Sequence, residues 1–529
     1  MNTGETDLLG DRWLSGKPVY LTDLSGFGPA GALSGKSRTG HWRTLEYEAE
    51  GLEGTMLLAG PETAAPDISY PLGVAGWHAI SFGVLDDGRN PVRIMVRLSG
   101  EKTFTILTLP EGDRPEAGRI TELFWKAADI TGQELVLGQV TWQVARGDGP
   151  GTRQCTKANV AYVKLTPMSD AEVAAFQTDS VRTDTRTVFA HNDAHTVHFA
   201  SRPTTPEEIR RHLEPYRGAD ISRLYWEAGI GDLTFYFSKI GTIPSADGLD
   251  DFQRQGDRML AESWRAFRDI GTDPFEVALG YAHEMGIEFH ASYRVAGFHF
   301  PAPHDEFNFG TDFYERHLHL RGTDRTGNPT PRIAYSYPET RRFVVSLLRE
   351  MAQYPIDGVC LLYNRRPPLV EYGDDPRRLD EDDPRWLSYR ARTLTQFHHE
   401  VREAMDAVAE SRGRRIEVSA IVMSTEAENL AKGTACKLAP NLMPRELSAE
   451  NYRKKAAALY AAGIEHFFLW DADAQQPRSN SAGPWDAARR LGHREEIEAW
   501  IEAGEPDLAP RTAAVRRLGN WDVSYGGPG

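Results

Sequence analysis

The sequence predicts an α/β fold with an all-β addition: a jelly-roll-like antiparallel β-sandwich followed by a (β/α)8 TIM barrel. Two observations predict it. Short apolar or alternating runs, separated by Gly, Pro, Asp and Asn, fill residues 10 to 165. Strand-like and helix-like segments then alternate over about 300 residues, which is typical of a parallel sheet covered by helices. A chain of 529 residues is also too long for one core, so two domains are expected.

The predicted sandwich occupies residues 1–170. Some of its runs alternate apolar and polar residues, as 44–50 does, and this is expected of a sheet with one face in water. Others are almost continuously apolar and suit a buried strand. The predicted strands are 19–24, 44–50, 54–60, 77–85, 92–100, 103–109, 133–145 and 159–167.

The predicted barrel occupies residues 171–510. Its strands are expected at 196–201, 221–228, 287–295, 356–364, 415–423 and 464–472. Its helices are expected at 205–217, 273–286, 338–355, 386–411 and 448–463. A further strand is a candidate within 430–446. The C-terminal residues 511–529 are strand-like again and are expected to pack on the sandwich.

Charge and cysteine content exclude several functional classes. The net charge of −16 and the pI near 5.5 argue against nucleic acid or an anionic membrane as the main partner. Cys155, Cys360 and Cys436 have no metal-ligand spacing, so neither a metal nor another cofactor is expected. The N-terminus has no signal peptide or membrane span, which predicts a cytoplasmic protein, although a trimmed secreted chain would look the same. Self-association into a homo-oligomer stays open.

The candidate site lies where the barrel strands end, because barrel enzymes keep their chemistry at the carboxyl ends of the strands. Glu227 follows an apolar strand beside Trp226, and Asp471 follows another beside Trp470. An indole can stack on a sugar ring, and glycoside hydrolysis needs two carboxyl groups, one protonated and one ionised. Glu227 and Asp471 are therefore the expected catalytic pair. The expected carbohydrate-binding residues are Trp226, Trp470, Asp193, His290, Tyr293, Arg294, Asn364, Arg365, Glu371 and Asp473.

Structural roles are the competing interpretation of the same residues. Glu227 would then be a barrel-rim residue paired with an arginine, and Asp471 would cap a loop. The segment at 229–232 is not a dinucleotide fingerprint, because the third glycine and the helix start are missing. Neither a serine-hydrolase elbow nor a P-loop is present in the sequence, so these classes are disfavoured.

Residues 188–500 resemble the family-10-like glycosyl hydrolase group of TIM-barrel proteins. The matching pieces are the Asn192–Asp193 pair, the Tyr-x-x-Pro-Glu-x-Arg run at 335–341, and Asp357–Gly358 followed by Arg365 and Pro367. The resemblance rests on pattern and order and not on one diagnostic motif. It implies a carbohydrate-active barrel without naming a substrate.

The chain departs from that group in its fourth predicted barrel strand. The group carries acids there, in a D-G-I/V-E-L-D type run, but this chain has Cys360 and Leu362 at the two later acidic positions. Asp357 remains at the start of the strand, where a structural role is expected. The expected function is a glycoside hydrolase that uses Glu227 and Asp471, in roles that the sequence does not assign. The alternatives are a non-catalytic carbohydrate-binding barrel that has lost these acids, and a lyase or isomerase with Tyr293 or a histidine as base.

Overall fold

The protein divides into two compact units in a computed structural model. The first unit comprises Met1–Val188, Arg210–Ile221 and Asn441–Gly529, and the second comprises Phe189–Ile209 and Ser222–Pro440. The residues that the structure describes are 7–61, 63–86, 92–109, 118–143, 153–249, 252, 255–295, 312–363, 370–372, 378–422, 436–442, 447–470, 472 and 485–519.

The strands, numbered in chain order over these residues, occur throughout the chain. Those before residue 168 are β1 Val19–Leu21, β2 Leu33–Ser34, β3 Trp42–Ala49, β4 Leu52–Ala59, β5 Ile68–Pro71, β6 Trp77–Asp86, β7 Arg93–Leu98, β8 Thr105–Thr108, β9 Arg119–Asp129, β10 Glu134–Gln139, β11 Thr141–Gln143, β12 Arg153–Cys155 and β13 Ala158–Pro167. Those after it are β14 Val188–Asn192, β15 Ile221–Ile230, β16 Leu233–Thr234, β17 Glu288–Arg294, β18 Arg321–Thr323, β19 Pro329–Ile333, β20 Gly358–Leu362, β21 Glu417–Ile421, β22 Phe467–Leu469 and β23 Thr512–Leu518.

The α-helices begin after the β-rich part of the chain. They are α1 Asp170–Ser180, α2 Ala194–Ser201, α3 Pro206–Leu213, α4 Gln255–Asp269, α5 Pro274–Glu284, α6 Asp312–Arg316, α7 Pro338–Met351, α8 Pro384–Arg412, α9 Ala449–Ala461, α10 Trp485–Ala488 and α11 Arg494–Glu502. In the described parts of the chain, no helix combines the length and the apolar character that crossing a membrane requires.

Two mainly antiparallel sheets of the first unit share one apolar core. The larger sheet has the strand order β1-β13-β4-β3-β23-β9-β6, with β2 paired to β3, and the smaller has the order β5-β10-β7-β8. Phe82 and Val163 of the larger sheet lie in the same buried cluster as Ile94 and Leu137 of the smaller. The late strand β23 pairs with β3 and β9, so a segment from the end of the chain completes a sheet built from its beginning.

A buried charged cluster joins distant segments of the first unit. The Nδ1 atom of His493 lies 2.8 Å from the Oδ2 atom of Asp220, and its Nε2 atom lies 2.7 Å from the Oδ1 atom of Asp179. Arg490 donates to the same Asp179 at 2.7 Å and also pairs with Glu496. Burial alone would lower the pKa of His493, but its hydrogen bonds to the two aspartates outweigh burial and raise the pKa to about 9.

The second unit contains a parallel sheet. Its strands follow the order β21-β20-β17-β15-β14, and the short β16 pairs antiparallel with β15. Pairing is parallel from β15 through β17 and β20 to β21. The protein is thus mixed α/β with several sheets, one of them parallel. Closure of this parallel sheet into an eight-stranded barrel stays a prediction.

One element of this unit corrects the sequence analysis. Residues 196–201, expected as a strand, lie in helix α2, and the strand of this region is β14, just before it. Asp193 explains the change, because its side chain accepts a hydrogen bond from the backbone N–H of Thr196 and so caps the helix. The correction places Asn192 and Asp193 at the end of a sheet strand and not before its start.

Candidate functional site

Alternation along the parallel strands gives the sheet of the second unit two different faces. One face is apolar and helix-covered: Trp226 of β15 packs near Phe289 of β17, whose ring meets Phe275 of α5 edge to face. We call the other face the polar face. Its residues on the four paired strands are Arg223, Tyr225, Glu227, Glu288, His290, Ser292, Arg294, Gly358, Cys360, Leu362, Glu417, Ser419 and Ile421.

Three charged side chains meet at the carboxyl end of the polar face. The Nε atom of Arg294 lies 2.6 Å from the Oε2 atom of Glu227, and its Nη2 atom donates to the Oδ2 atom of Asp193 at 2.7 Å. The Glu227 side chain is fully buried, while those of Asp193 and Arg294 are 9% and 15% exposed. Asp193 directly follows β14, Glu227 lies in the carboxyl-terminal half of β15, and Arg294 is the last residue of β17, as expected for a site near the carboxyl edge of a parallel sheet. We call this group the Arg294 bridge.

Electrostatics keep Asp193 in its ionised form. Burial alone would raise the pKa of Asp193, but the positive charge of Arg294, followed by His195 and His191, outweighs burial and lowers the pKa below its usual value. The hydrogen bond from the N–H of Thr196, at the start of α2, acts in the same direction. The guanidinium of Arg294 lies at ion-pair distance from the fully buried Glu227 side chain. Asp193 therefore suits a role that needs a negative charge.

Ser292 extends the site below the Arg294 bridge. It is the β-sheet neighbour of Glu227 on one side and of Cys360 on the other. Its side chain is fully buried, and its Oγ atom has no hydrogen-bond partner among the described residues. A buried hydroxyl in that state marks a place where a water or a ligand atom is expected to bind. The sequence analysis missed Ser292, although alternation from His290 and Arg294 would have placed it on the same face.

His290 lies one layer further from the carboxyl end. It is buried beside the ring of Tyr225, with its Nε2 atom 3.8 Å from a carboxylate oxygen of Glu288. Burial lowers the pKa of His290, and the contact with Glu288 offsets this only in part, which favours the neutral imidazole near neutral pH. Gly358 of the adjacent strand makes room for the ring, because a Cβ atom there would lie 2.5 Å from it.

The two acids missing from β20 would have faced this site. Cys360 and Leu362 lie on the polar face, in register with Ser292 and Arg294. Burial raises the pKa of the Cys360 thiol to about 12, so the group in that position stays uncharged. Asp357 precedes the strand and accepts hydrogen bonds from the N–H of Phe289 and from Arg414, in agreement with a structural role.

Two expected binding residues lie on the other face of the sheet. Trp226 is 2% exposed and packs in the helix-covered layer, pointing away from Glu227 because adjacent strand residues face opposite sides. Tyr293 is fully buried, and its hydroxyl donates to the carbonyl oxygen of Gly231 at 2.6 Å. We therefore leave both residues out of the site proposed below.

The remaining expected site residues are not gathered at the Arg294 bridge by any described contact. Glu371 pairs with Arg332 at 2.6 Å and accepts from Thr330, both of β19. Trp470 belongs to the first unit, where its backbone N–H donates to the Oδ1 atom of Asn441. Asn364, Arg365, Asp471 and Asp473 lie outside the described residues. Within the described ranges, no three His, Cys, Asp or Glu side chains converge in a way that could hold a metal ion.

Comparisons with known proteins give only distant similarity. No protein-family model matches the chain, and no curated protein matches it. Its structural neighbours include glycoside hydrolases: the α-L-fucosidase isoenzyme 2 of Paenibacillus thiaminolyticus, with 12% identity, a TM-score of 0.38 and coverage of 61% of this chain and 50% of that one. A GH36 α-galactosidase of Geobacillus stearothermophilus has 11% identity and a TM-score of 0.30, with coverage of 84% of this chain and 65% of that one. An α-galactosidase of Thermus thermophilus has 13% identity and a TM-score of 0.29, with coverage of 85% of this chain and 95% of that one.

The chain thus spans half the length of the fucosidase and 65% of that of the first galactosidase. At these identities and TM-scores, the likeness assigns neither an activity nor catalytic residues to this chain. The resemblance to the family-10-like group in particular has no matching family model.

Proposed function

We propose that the protein is a glycoside hydrolase acting on an oligosaccharide or another glycoside. The observation that carries the proposal is the Arg294 bridge, in which one guanidinium contacts two carboxyl groups at the carboxyl end of the parallel sheet. One arginine and two carboxylates sum to one negative charge. Glycosidic cleavage passes through an oxocarbenium-like transition state, and a preorganised negative charge stabilises that positive centre.

In this proposal Glu227 acts as the ionised carboxylate, as nucleophile or electrostatic stabiliser. The Arg294 guanidinium, 2.6 Å away, supplies the counter-charge that this role requires. Asp193 lies on the other side of Arg294 and orients it, and it can also bind sugar hydroxyls. The general acid must then be another group, and Asp471 is the candidate on sequence grounds alone. His290 and Glu371 remain weaker candidates for contacts with substrate.

The test is a product screen with carboxamide variants. Wild type, Glu227→Gln and Asp471→Asn would be incubated with nitrophenyl glycosides and with plant and bacterial oligosaccharides, and released sugar would be measured. We expect kcat to fall by about two to four orders of magnitude in both variants. Glu339→Gln is the control, because Glu339 is half exposed on α7 and pairs with Arg342. Wild-type turnover in Glu227→Gln would remove that residue from the mechanism, provided that its Tm shows a folded protein.

A non-catalytic carbohydrate-binding protein is the second candidate function. It is favoured by Cys360 and Leu362, which put uncharged groups at the two positions of the polar face where the resembled group carries acids. This candidate predicts a binding isotherm by calorimetry, with no product after prolonged incubation with the same sugar. Release of product by wild type, lost in Glu227→Gln, would reject it.

A further inference from the structure

We propose that the Arg294 bridge receives a neutral sugar unit at the end of a chain, with Ser292 binding one of its hydroxyl groups. The inference rests on the proposed hydrolase function and specifies the substrate class of the same site. Three features of the described residues carry it: the burial of the carboxylates, the engagement of the arginine, and the buried hydroxyl beside Glu227.

Burial of the carboxylates favours a chain end over an internal bond. The Glu227 side chain has no exposed surface, and the side chains of Asp193 and Arg294 are 9% and 15% exposed. A site that accepts the middle of a polymer needs an open groove on both sides of the scissile bond. Carboxylates with so little exposed surface instead favour one terminal ring, which enters with its hydroxyls leading.

The charge of the Arg294 bridge favours a neutral ring. Two of the three guanidinium nitrogens of Arg294 contact carboxylates, at 2.6 Å and 2.7 Å. A uronate or another acidic sugar would bring a third carboxylate beside the two that already contact Arg294, and their mutual repulsion would disfavour it. Neutral sugars, in contrast, present hydroxyl groups that donate to carboxylate oxygens, and such charge-assisted bonds are strong.

Ser292 supplies a neutral hydrogen-bonding group at the bottom of the site. Its fully buried Oγ atom has no hydrogen-bond partner among the described residues and lies in the register position beside Glu227. A hydroxyl both donates and accepts, so it matches a sugar hydroxyl better than a carboxylate does. Removing the Ser292 hydroxyl should therefore weaken the binding of substrates that carry the matching hydroxyl more than the binding of their deoxy analogues.

The experiment compares matched substrates on the full chain. Each neutral nitrophenyl glycoside that wild type cleaves would be paired with its C6-carboxylate analogue, and the corresponding oligosaccharide would be followed by product size. We expect single sugar units from the oligosaccharide and a kcat/KM about 100-fold lower for the acidic analogue. Internal fragments, or equal kcat/KM values for both analogues, would overturn the inference while leaving hydrolysis by Glu227 intact. Lack of any product would overturn the proposed function, and the inference with it.

Two variants test the assigned residues. Asp193→Asn removes a negative charge but keeps an N-cap residue for α2, since asparagine caps helices as well as aspartate. The variant should lower the ratio of kcat/KM for the neutral substrate to kcat/KM for the acidic analogue by about tenfold. An unchanged ratio would refute the charge argument. Ser292→Ala should raise KM for the neutral substrate by about tenfold. It should change KM little for the one deoxy analogue that lacks the hydroxyl bound by Ser292. Equal effects on every deoxy analogue would refute the role of Ser292.

Discussion

Replacing Arg294 with methionine should lower the free energy of unfolding of the second unit by about 3–5 kcal/mol. Methionine keeps most of the side-chain volume but removes the cation between two carboxylates. Glu227 is fully buried and Asp193 is 9% exposed, so water cannot replace the lost charge. The penalty is that of leaving buried carboxylates without a counter-charge, and it exceeds what the ion pair itself contributes.

A double-mutant cycle separates that penalty from lost packing. In Arg294→Met/Glu227→Gln, one of the stranded charges is also removed, so the double variant should be more stable than the sum of the single effects predicts. We expect a coupling free energy of about 2–3 kcal/mol. The matched control is the Arg316–Asp312 pair of α6, whose side chains are 72% and 67% exposed, where the coupling should be about 0.5 kcal/mol or less.

Urea unfolding followed by tryptophan fluorescence gives these values. Because the chain has two compact units, the free energies would be taken from the transition that the variants shift, and not from a single two-state fit. A coupling for Glu227 and Arg294 no larger than that of the control pair would refute the reasoning. It would mean that the two side chains are solvated in solution and that the buried bridge does not form.

Two further predictions concern other buried groups. Because the pKa of His493 is raised from 6.5 to about 9, the first unit should hold its full stabilisation below pH 6.5 and lose about 3 kcal/mol as pH rises from 6.5 through 9. The midpoint of urea unfolding of His493→Gln should lack this loss, and a parallel pH dependence in both proteins would contradict it. Gly358→Ala should destabilise the second unit by about 1–3 kcal/mol, because the new Cβ would meet the His290 ring at 2.5 Å. Thermal melts would compare it with Gly280→Ala on α5, where a new Cβ would meet nothing within 4 Å and the change should be neutral or stabilising.

Hydrophobic periodicity predicted the strands and helices well where one face is buried. The expected strand at 221–228 lies within β15, which is two residues longer, whereas the expected strand at 287–295 contains β17 and the expected helix at 338–355 contains α7. Periodicity was misleading at 196–201, where valine, threonine and phenylalanine favour a strand. There the helix is stabilised by the capping side chain of Asp193 and by the packing of α2 on α4. Intrinsic propensity is too weak to resist such tertiary contacts.

Alternation along single strands predicts which residues of the candidate site share a face of the sheet, but it does not predict which strands are neighbours. Glu227 and Arg294 could be placed at strand ends from sequence, but their pairing through one guanidinium depends on the strand order β14-β15-β17, which sequence does not give. Trp226 was associated with Glu227 because they are neighbours in sequence, yet neighbours in a strand face opposite sides of the sheet. Alternation from His290 and Arg294 places Ser292 on the polar face, but a lone serine inside a strand has no pattern that marks it as a binding residue.

The Arg294 bridge sharpens the choice between a hydrolase and a binding protein. Both inverting and retaining mechanisms need one protonated acid beside an ionised carboxylate. Glu227 and Asp193 share one cation, the pKa of Asp193 is lowered, and Cys360 and Leu362 add no acid from β20. A hydrolase therefore requires a general acid from outside this group, whereas a binding protein requires none. Asp471→Asn is the decisive variant: if wild type cleaves a glycoside, loss of turnover in this variant with unchanged sugar affinity identifies that acid, whereas full turnover would require a different proton donor.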